Sequence, residues 1–135
     1  MDKYLIINAD DFGMCRSANL AVMDLLKSGS ITSSTIMAPC AWAYEACQFA
    51  KNNPQFAIGV HLTFTSEWAA YRWAPVGTSN TDSLRDELGF MYHESIDVEK
   101  NVDIKEVAAE IHAQVKRLKA MGLTPSHICL LYTSD

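Results

Sequence analysis

Apolar positions in this chain fall into short continuous runs separated by stretches of helical period. Tyr4-Leu5-Ile6-Ile7 is apolar on both faces, which predicts a buried parallel strand stopping at Asn8-Ala9-Asp10-Asp11. From Ser17, a candidate cap, to about Ser28 the apolar residues Leu20, Met23 and Leu26 share one stripe, and Gly29 suits a helical stop. Ser30 to Met37 is rich in β-branched residues and predicts a second strand, closed by Pro39. A second helix is expected over Ala41–Lys51, packing through Ala43, Ala46, Cys47 and Ala50 and ended by Asn53-Pro54. Ala57–Leu62 predicts a third strand. The strongest helix signal comes later: Asp103 and Glu106 resemble a capping box, and Val107, Ile111, Val115 and Leu118 follow at helical spacing up to Gly122. Ser126–Tyr132 is the fourth strand candidate.

The predicted order is β-α-β-α-β-loop-α-β. Such alternation implies an α/β fold, a parallel sheet with covering helices. Right-handed crossovers place the C-terminal ends of the strands on one edge, where α/β folds bind ligands. The stretch 63–101 has no clear period, and segments this long without structure of their own often serve as lids or binding loops. Between Asp82 and Glu110 there are nine acidic and three basic side chains, a pattern that most often marks a solvated face.

Composition narrows the function classes. The 135 residues are 49% hydrophobic and 20% charged, a globular balance that excludes a disordered or fibrous polymer. A net charge of -5 argues against nucleic acid as a partner. No apolar run approaches the roughly 20 residues of a membrane span, and the run after Lys3 is too short for a secretory signal, so a cytoplasmic protein with no membrane partner is expected. Cys15, Cys40, Cys47 and Cys129 form no C-x-x-C pair and are expected to be reduced thiols.

The candidate chemistry lies at strand ends. Asp10-Asp11 follows the first strand, His61 ends the third, and His127 sits in the fourth, near its beginning. A carboxylate with two imidazoles is a sensible three-ligand set for a divalent metal with an open position, and the neighbouring carboxylate can act as a base toward a metal-bound water. Each residue has a plainer reading. An Asp pair at a strand end often shapes a turn or caps a helix, and a lone buried His is more often a hydrogen-bonded core residue. On spacing alone the catalytic and plain readings of the Asp pair are even, and His127, His93 and His112 are weak by themselves. Trp68, Tyr71, Arg72 and Trp73 follow closely after His61. Aromatic rings stack on sugars and Arg forks a hydroxyl or carboxylate, but the same residues can simply anchor a long loop. No phosphate-binding glycine loop, dinucleotide fingerprint or G-x-S-x-G elbow is present.

Asn8-Ala9-Asp10-Asp11-Phe12-Gly13, Gly59-Val60-His61-Leu62-Thr63 and Thr124-Pro125-Ser126-His127-Ile128, in that order, resemble three motifs of the YdjC-like carbohydrate deacetylases. Ile31–Thr35 and Tyr71–Val76 also read as family-like, and the likeness runs from about residue 3 to residue 128. The resemblance implies a distorted β/α barrel and a metal-dependent N-deacetylase of acetylated amino sugars such as chito-oligosaccharides. It maps the metal ligands onto Asp11, His61 and His127 and the base onto Asp10, with Zn²⁺ or Mg²⁺ as the divalent ion. Tyr71, Arg72 and Trp73 are carried as candidate substrate contacts.

A whole barrel of this kind needs about 250 residues. The chain is therefore expected to be the N-terminal half, with residues 1–128 an incomplete deacetylase domain. In the family an Asp and further His follow the third motif, whereas Cys129–Asp135 fits no family pattern and is read as an artefactual tail. The general acid would then lie in the absent half, and the uncovered edges would favour self-association, a homodimer in its simplest form. Three other readings stay open: a metal hydrolase of a phosphate or ester bond, a non-catalytic sugar-binding module, and an inactive fragment.

Overall fold

A computed structural model describes residues 2–79 and 81–130. Four strands, β1 (Asn8–Phe12), β2 (Ser33–Met37), β3 (Ala57–His61) and β4 (Ile128–Cys129), form one parallel sheet in the order β1-β2-β3-β4. The connections carry α1 (Arg16–Ser28), α2 (Ala43–Asn52), α3 (Ser95–Asn101) and α4 (Ile104–Ala120). The expected α/β class and parallel alternation are observed. No helix among the described residues is long and apolar enough to cross a membrane.

The two faces of the sheet differ in chemistry because side chains alternate along each strand. One face presents Ile36, Ile58 and Val60 to Val22 and Leu26 of α1, Ala43, Ala46 and Cys47 of α2 and Leu118 of α4, and this is the main core. The opposite face is polar. It carries Asn8, Asp10, Ser33, Thr35 and His61, joined by bonds from Ser33 Oγ to Asn8 Oδ1 (2.6 Å) and from Thr35 Oγ1 to Asp10 Oδ1 (3.2 Å).

Several boundaries differ from the sequence reading. Tyr4–Ile7 is not the first strand; pairing begins at Asn8, and Tyr4 is 90% exposed. Apolarity marks residues suited to burial, but strand formation also needs a partner, and β2 begins only at Ser33, opposite Asn8. The stripe buried on α1 is Asn19, Val22 and Leu26, with Leu20 exposed, and Ser17 lies inside the helix rather than capping it. On α4 the fully buried stripe is Glu110, Gln114 and Leu118, beside the half-buried Val107, Ile111 and Val115. Asp103 does cap α4, accepting from Lys105 N at 2.7 Å, but Glu106 does not reach back to close the box. Helix α3 has no counterpart among the expected elements. The expected end of the fourth strand, Leu131 and Tyr132, and most of the tail 129–135 lie outside the described residues.

Polar residues of α4 take the place of apolar ones because the long segment after β3 offers them backbone groups. Glu106 Oε2 accepts from Ser83 N and Oγ (2.8 and 2.7 Å). One turn on, Glu110 accepts from the backbone N–H groups of Val76 and Gly77, both at 2.8 Å. A further turn on, Gln114 accepts from Thr63 N (3.0 Å) and donates to Thr63 O (2.6 Å). Positions four apart share one helix face, so this ladder pins a segment with little secondary structure of its own.

Glu110 has no accessible surface, so turning one acceptor oxygen into a donor leaves a buried N–H facing another N–H. Glu110→Gln is expected to cost about 1–3 kcal/mol. The urea midpoint followed by circular dichroism checks it; an unchanged midpoint refutes the role of the ladder.

Candidate active site

The Asp10-Asp11 pair sits where β1 departs from regular pairing. Ala9 faces Ser34 and Phe12 faces Ile36, so three steps along β1 match two along β2. The extra residue makes a bulge, and Asp11 takes a left-handed conformation there (φ 61°). Asp tolerates this conformation better than most non-glycine residues. The bulge has a specific consequence. In a regular strand Asp10 and Asp11 would face opposite sides, whereas here Asp10 meets Thr35 on the polar face and Asp11 still reaches His61 on β3, while Phe12 returns to the core.

Asp11 Oδ1 lies 3.6 Å from His61 Nε2. His61 is 7% exposed, and its Nε2 is buried with no hydrogen-bond partner among the described residues. Its other ring nitrogen, Nδ1, lies 3.3 Å from Thr63 Oγ1. Burial pushes the Asp11 carboxyl above its ordinary range; the nearby Asp10 and Glu67 carboxyls add to this and His61 opposes it. Asp10 is held on one oxygen: Asn8 Nδ2 (2.7 Å), Thr35 Oγ1 (3.2 Å) and Cys129 Sγ (3.7 Å) all donate to Oδ1.

The remaining candidates occupy different surroundings. His127 pairs with the position of Gly59, two residues below His61 along the sheet. A Cβ on Gly59 would come within 2.9 Å of the His127 ring, so a glycine is what allows the ring to lie there. His127 Nδ1 is engaged by Ser126 Oγ at 2.8 Å. Asp11 and His61 are thus brought together, and among the described residues no group of three His, Cys, Asp or Glu side chains is placed to hold an ion.

Tyr71, Arg72 and Trp73 direct their polar atoms inward. Tyr71 OH donates to Met14 O (2.8 Å) and accepts from Ala41 N (3.3 Å), tying the loop after β1 to the loop after β2. Arg72 donates to Ser66 Oγ, Asp86 Oδ2 and Met91 O at 3.2, 2.9 and 2.6 Å. Trp73 Nε1 donates to Thr65 O at 2.8 Å, and the ring packs with Met37, Cys40 and Met91. His93 and His112 are exposed. Burial raises the Cys40 and Cys47 thiols to about 12, which keeps both in the unreactive thiol form.

Sequence reasoning missed three residues that hold the site. Asn19 is fully buried; its Oδ1 accepts from Gly13 N (2.7 Å) and its Nδ2 donates to Trp42 O (3.2 Å) and Glu45 Oε2 (2.8 Å), fixing the turn after Asp11. Gly13 itself has φ 91° and approaches Ala43 too closely for a side chain. Thr63 and Gln114 hold the chain just after His61. Asn19 and Gln114 lie inside helices whose apolar stripes read as the packing faces, and a polar side chain there reads as exposed unless its partners are known.

The YdjC-like protein family matches residues 4–128. A chitooligosaccharide deacetylase of Yersinia enterocolitica is 32% identical over 130 residues, covering 95% of this chain and 49% of its own. A carbohydrate deacetylase of Enterococcus faecalis is 38% identical over 129 residues, covering 94% of this chain and 47% of its own. The chain therefore spans about half the length of the curated relatives it matches. A crystal structure from E. faecalis V583, of a protein provisionally named for cellobiose-phosphate cleavage, superposes with a TM-score of 0.81 at 35% identity, over 93% of this chain and 47% of that one.

The Arg72 anchor carries a pH dependence. Burial alone would raise the Asp86 carboxyl, but bonds from the N–H groups of Phe90 and Leu88 and from Arg72 outweigh it and hold the group below its ordinary value of 3.8. A lowered carboxylate contributes stability that is present above that ordinary value and is lost as pH falls through the lower folded one. Asp86→Asn is expected to cost about 1–3 kcal/mol at pH 7. In urea titrations the gap from the parent should close below pH 3.8; a gap independent of pH would contradict the pairing.

Proposed function

The chain belongs to the YdjC-like family, and from that premise we propose that it forms part of a metal-dependent deacetylase of N-acetylated amino sugars, with chito-oligosaccharides as the substrate class. The names of the curated relatives support the reaction class. One observation carries the reading: a buried Nε2 of His61, without a hydrogen-bond partner among the described residues, faces a carboxylate oxygen of Asp11 across 3.6 Å. Burying an imidazole nitrogen with no partner is costly, and a cation between it and the carboxylate would satisfy both.

Asp11 and His61 would hold the divalent ion, Zn²⁺ being the best match to this donor set and Mg²⁺ the alternative. His127, the third ligand that the resemblance implies, lies beside Gly59 and is not gathered with them among the described residues. When bound, such an ion lowers the pKa of a water and polarises a carbonyl. The rest falls to the chain itself. Asp10 has donors on Oδ1, which leaves Oδ2 to accept the proton of the water that attacks the acetamide carbon. The carbon–nitrogen bond then breaks, giving acetate and a free amine. Tyr71, Arg72 and Trp73 would shape the sugar site by holding its rim, since their polar atoms serve the fold. The remaining strands of a β/α barrel would close the sheet and supply the general acid.

Asp11→Ala and His61→Ala should each abolish Zn²⁺ retention through gel filtration. In a full-length protein that carries this half, Asp10→Asn should keep the ion while acetate release from N-acetylated chito-oligosaccharides falls about 10²–10⁴-fold. Full metal content in both ligand variants would sink the assignment. Phosphate released from a sugar phosphate, with no acetate from the amino sugar, would favour a phosphate-ester hydrolase.

A further inference from the structure

We propose that Thr63 is a positioning residue that sets the tautomer of His61, protonating Nδ1 and keeping the Nε2 lone pair free for a divalent cation. The inference rests on the reading of His61 as a ligand and goes beyond it to the group that prepares the ligand. Thr63 Oγ1 makes two contacts, 3.1 Å to the carbonyl oxygen of His61 and 3.3 Å to its Nδ1. The hydroxyl has a single proton. A carbonyl can only accept, so both contacts are hydrogen bonds only when the hydroxyl donates to the carbonyl and the ring donates to the hydroxyl. Nδ1 then carries the hydrogen, and Nε2 presents its lone pair toward Asp11.

The hydroxyl cannot readily leave this position. Thr63 is 3% exposed, and Gln114, which is wholly buried, grips its backbone on both sides. Gln114 Nε2 also donates to Glu110 Oε1 at 2.9 Å, which fixes the orientation of the amide. The constraint on the ring therefore runs from α4 through the backbone of Thr63 to its hydroxyl. A hydroxyl or carboxylate on the far nitrogen of a metal-binding histidine commonly fixes its tautomer and orientation.

The test uses the chain labelled with ¹⁵N-histidine, in chelator, with long-range ¹H–¹⁵N spectra of His61. The parent should show a protonated Nδ1 and an unprotonated Nε2. Thr63→Val should lose that single-tautomer signature, and Thr63→Ser, which keeps the hydroxyl, should retain it. Calorimetric titration with Zn²⁺ should show affinity about 10–100-fold weaker for Thr63→Val and restored in Thr63→Ser. A protonated Nε2 in the parent, or an unchanged signature in Thr63→Val, overturns the proposal. If Thr63→Val fails to fold by circular dichroism, the parent and Thr63→Ser spectra still decide, since loss of the signature in either refutes it. A parent with the expected tautomer that binds no Zn²⁺ supports the positioning by Thr63 and refutes the metal-dependent reading instead.

Discussion

The site depends on one extra residue in β1. A strand alternates its side chains, so two adjacent carboxylates cannot both serve one face without a break in the pairing. The bulge between Ala9 and Phe12 supplies the break, and the left-handed backbone of Asp11 absorbs it. Its neighbours hold it in place. Phe12 is fully buried beneath the helices, Gly13 turns against Ala43, and Asn19 bonds the Gly13 N–H. Core packing on one side of the sheet thereby sets the separation of Asp11 and His61 on the other. A substitution at Asn19 or Phe12 would act on the site without touching it.

The second support is the row of buried polar groups on α4. An apolar stripe would bury the helix equally well but would leave the backbone of the segment after β3 unsatisfied. Glu106, Glu110 and Gln114 supply those partners, so the segment is held by directed bonds at Ser83, Val76 with Gly77, and Thr63. Direction matters here because the first anchored residue, Thr63, is also the one that touches His61. Arg72 extends the same economy within the segment, bonding Ser66, Asp86 and Met91.

The alternation of strands and helices was legible because hydrophobic period reports it directly, and the placing of Asp10, Asp11 and His61 at one edge of the sheet was legible because parallel strands end on a common side. The failures share a cause. Apolar period places Leu20 rather than Asn19 on the packing face, yet Asn19 is the buried one. Glu110 lies in an acidic run that read as a solvated face, yet it is wholly buried. Burial of a polar side chain is decided by partners far away in sequence, 34 residues in the case of Glu110 and Val76, and no local pattern encodes them. Tyr4–Ile7 failed in the opposite sense: the run is apolar, but pairing with β2 starts beyond it.

The electrostatics of the site follow from the same geometry. The bulge gathers Asp10 and Asp11, and the segment after His61 adds Glu67, so burial raises the cost of ionising Asp11 and the two other carboxyls add to it. A fold under selection for stability alone would place a cation or a neutral residue here, and among the described residues the group facing Asp11 is a histidine whose near nitrogen is left without a hydrogen-bond partner. Like charges held together beside a buried ring nitrogen that lacks a hydrogen-bond partner form an arrangement that costs stability unless a positive charge offsets them. The cost is supported by the buried apolar face behind the strands and by the ladder on α4, both remote from the carboxyls. That separation of roles lets the polar end of the sheet be tuned to a ligand while the apolar face keeps the chain folded.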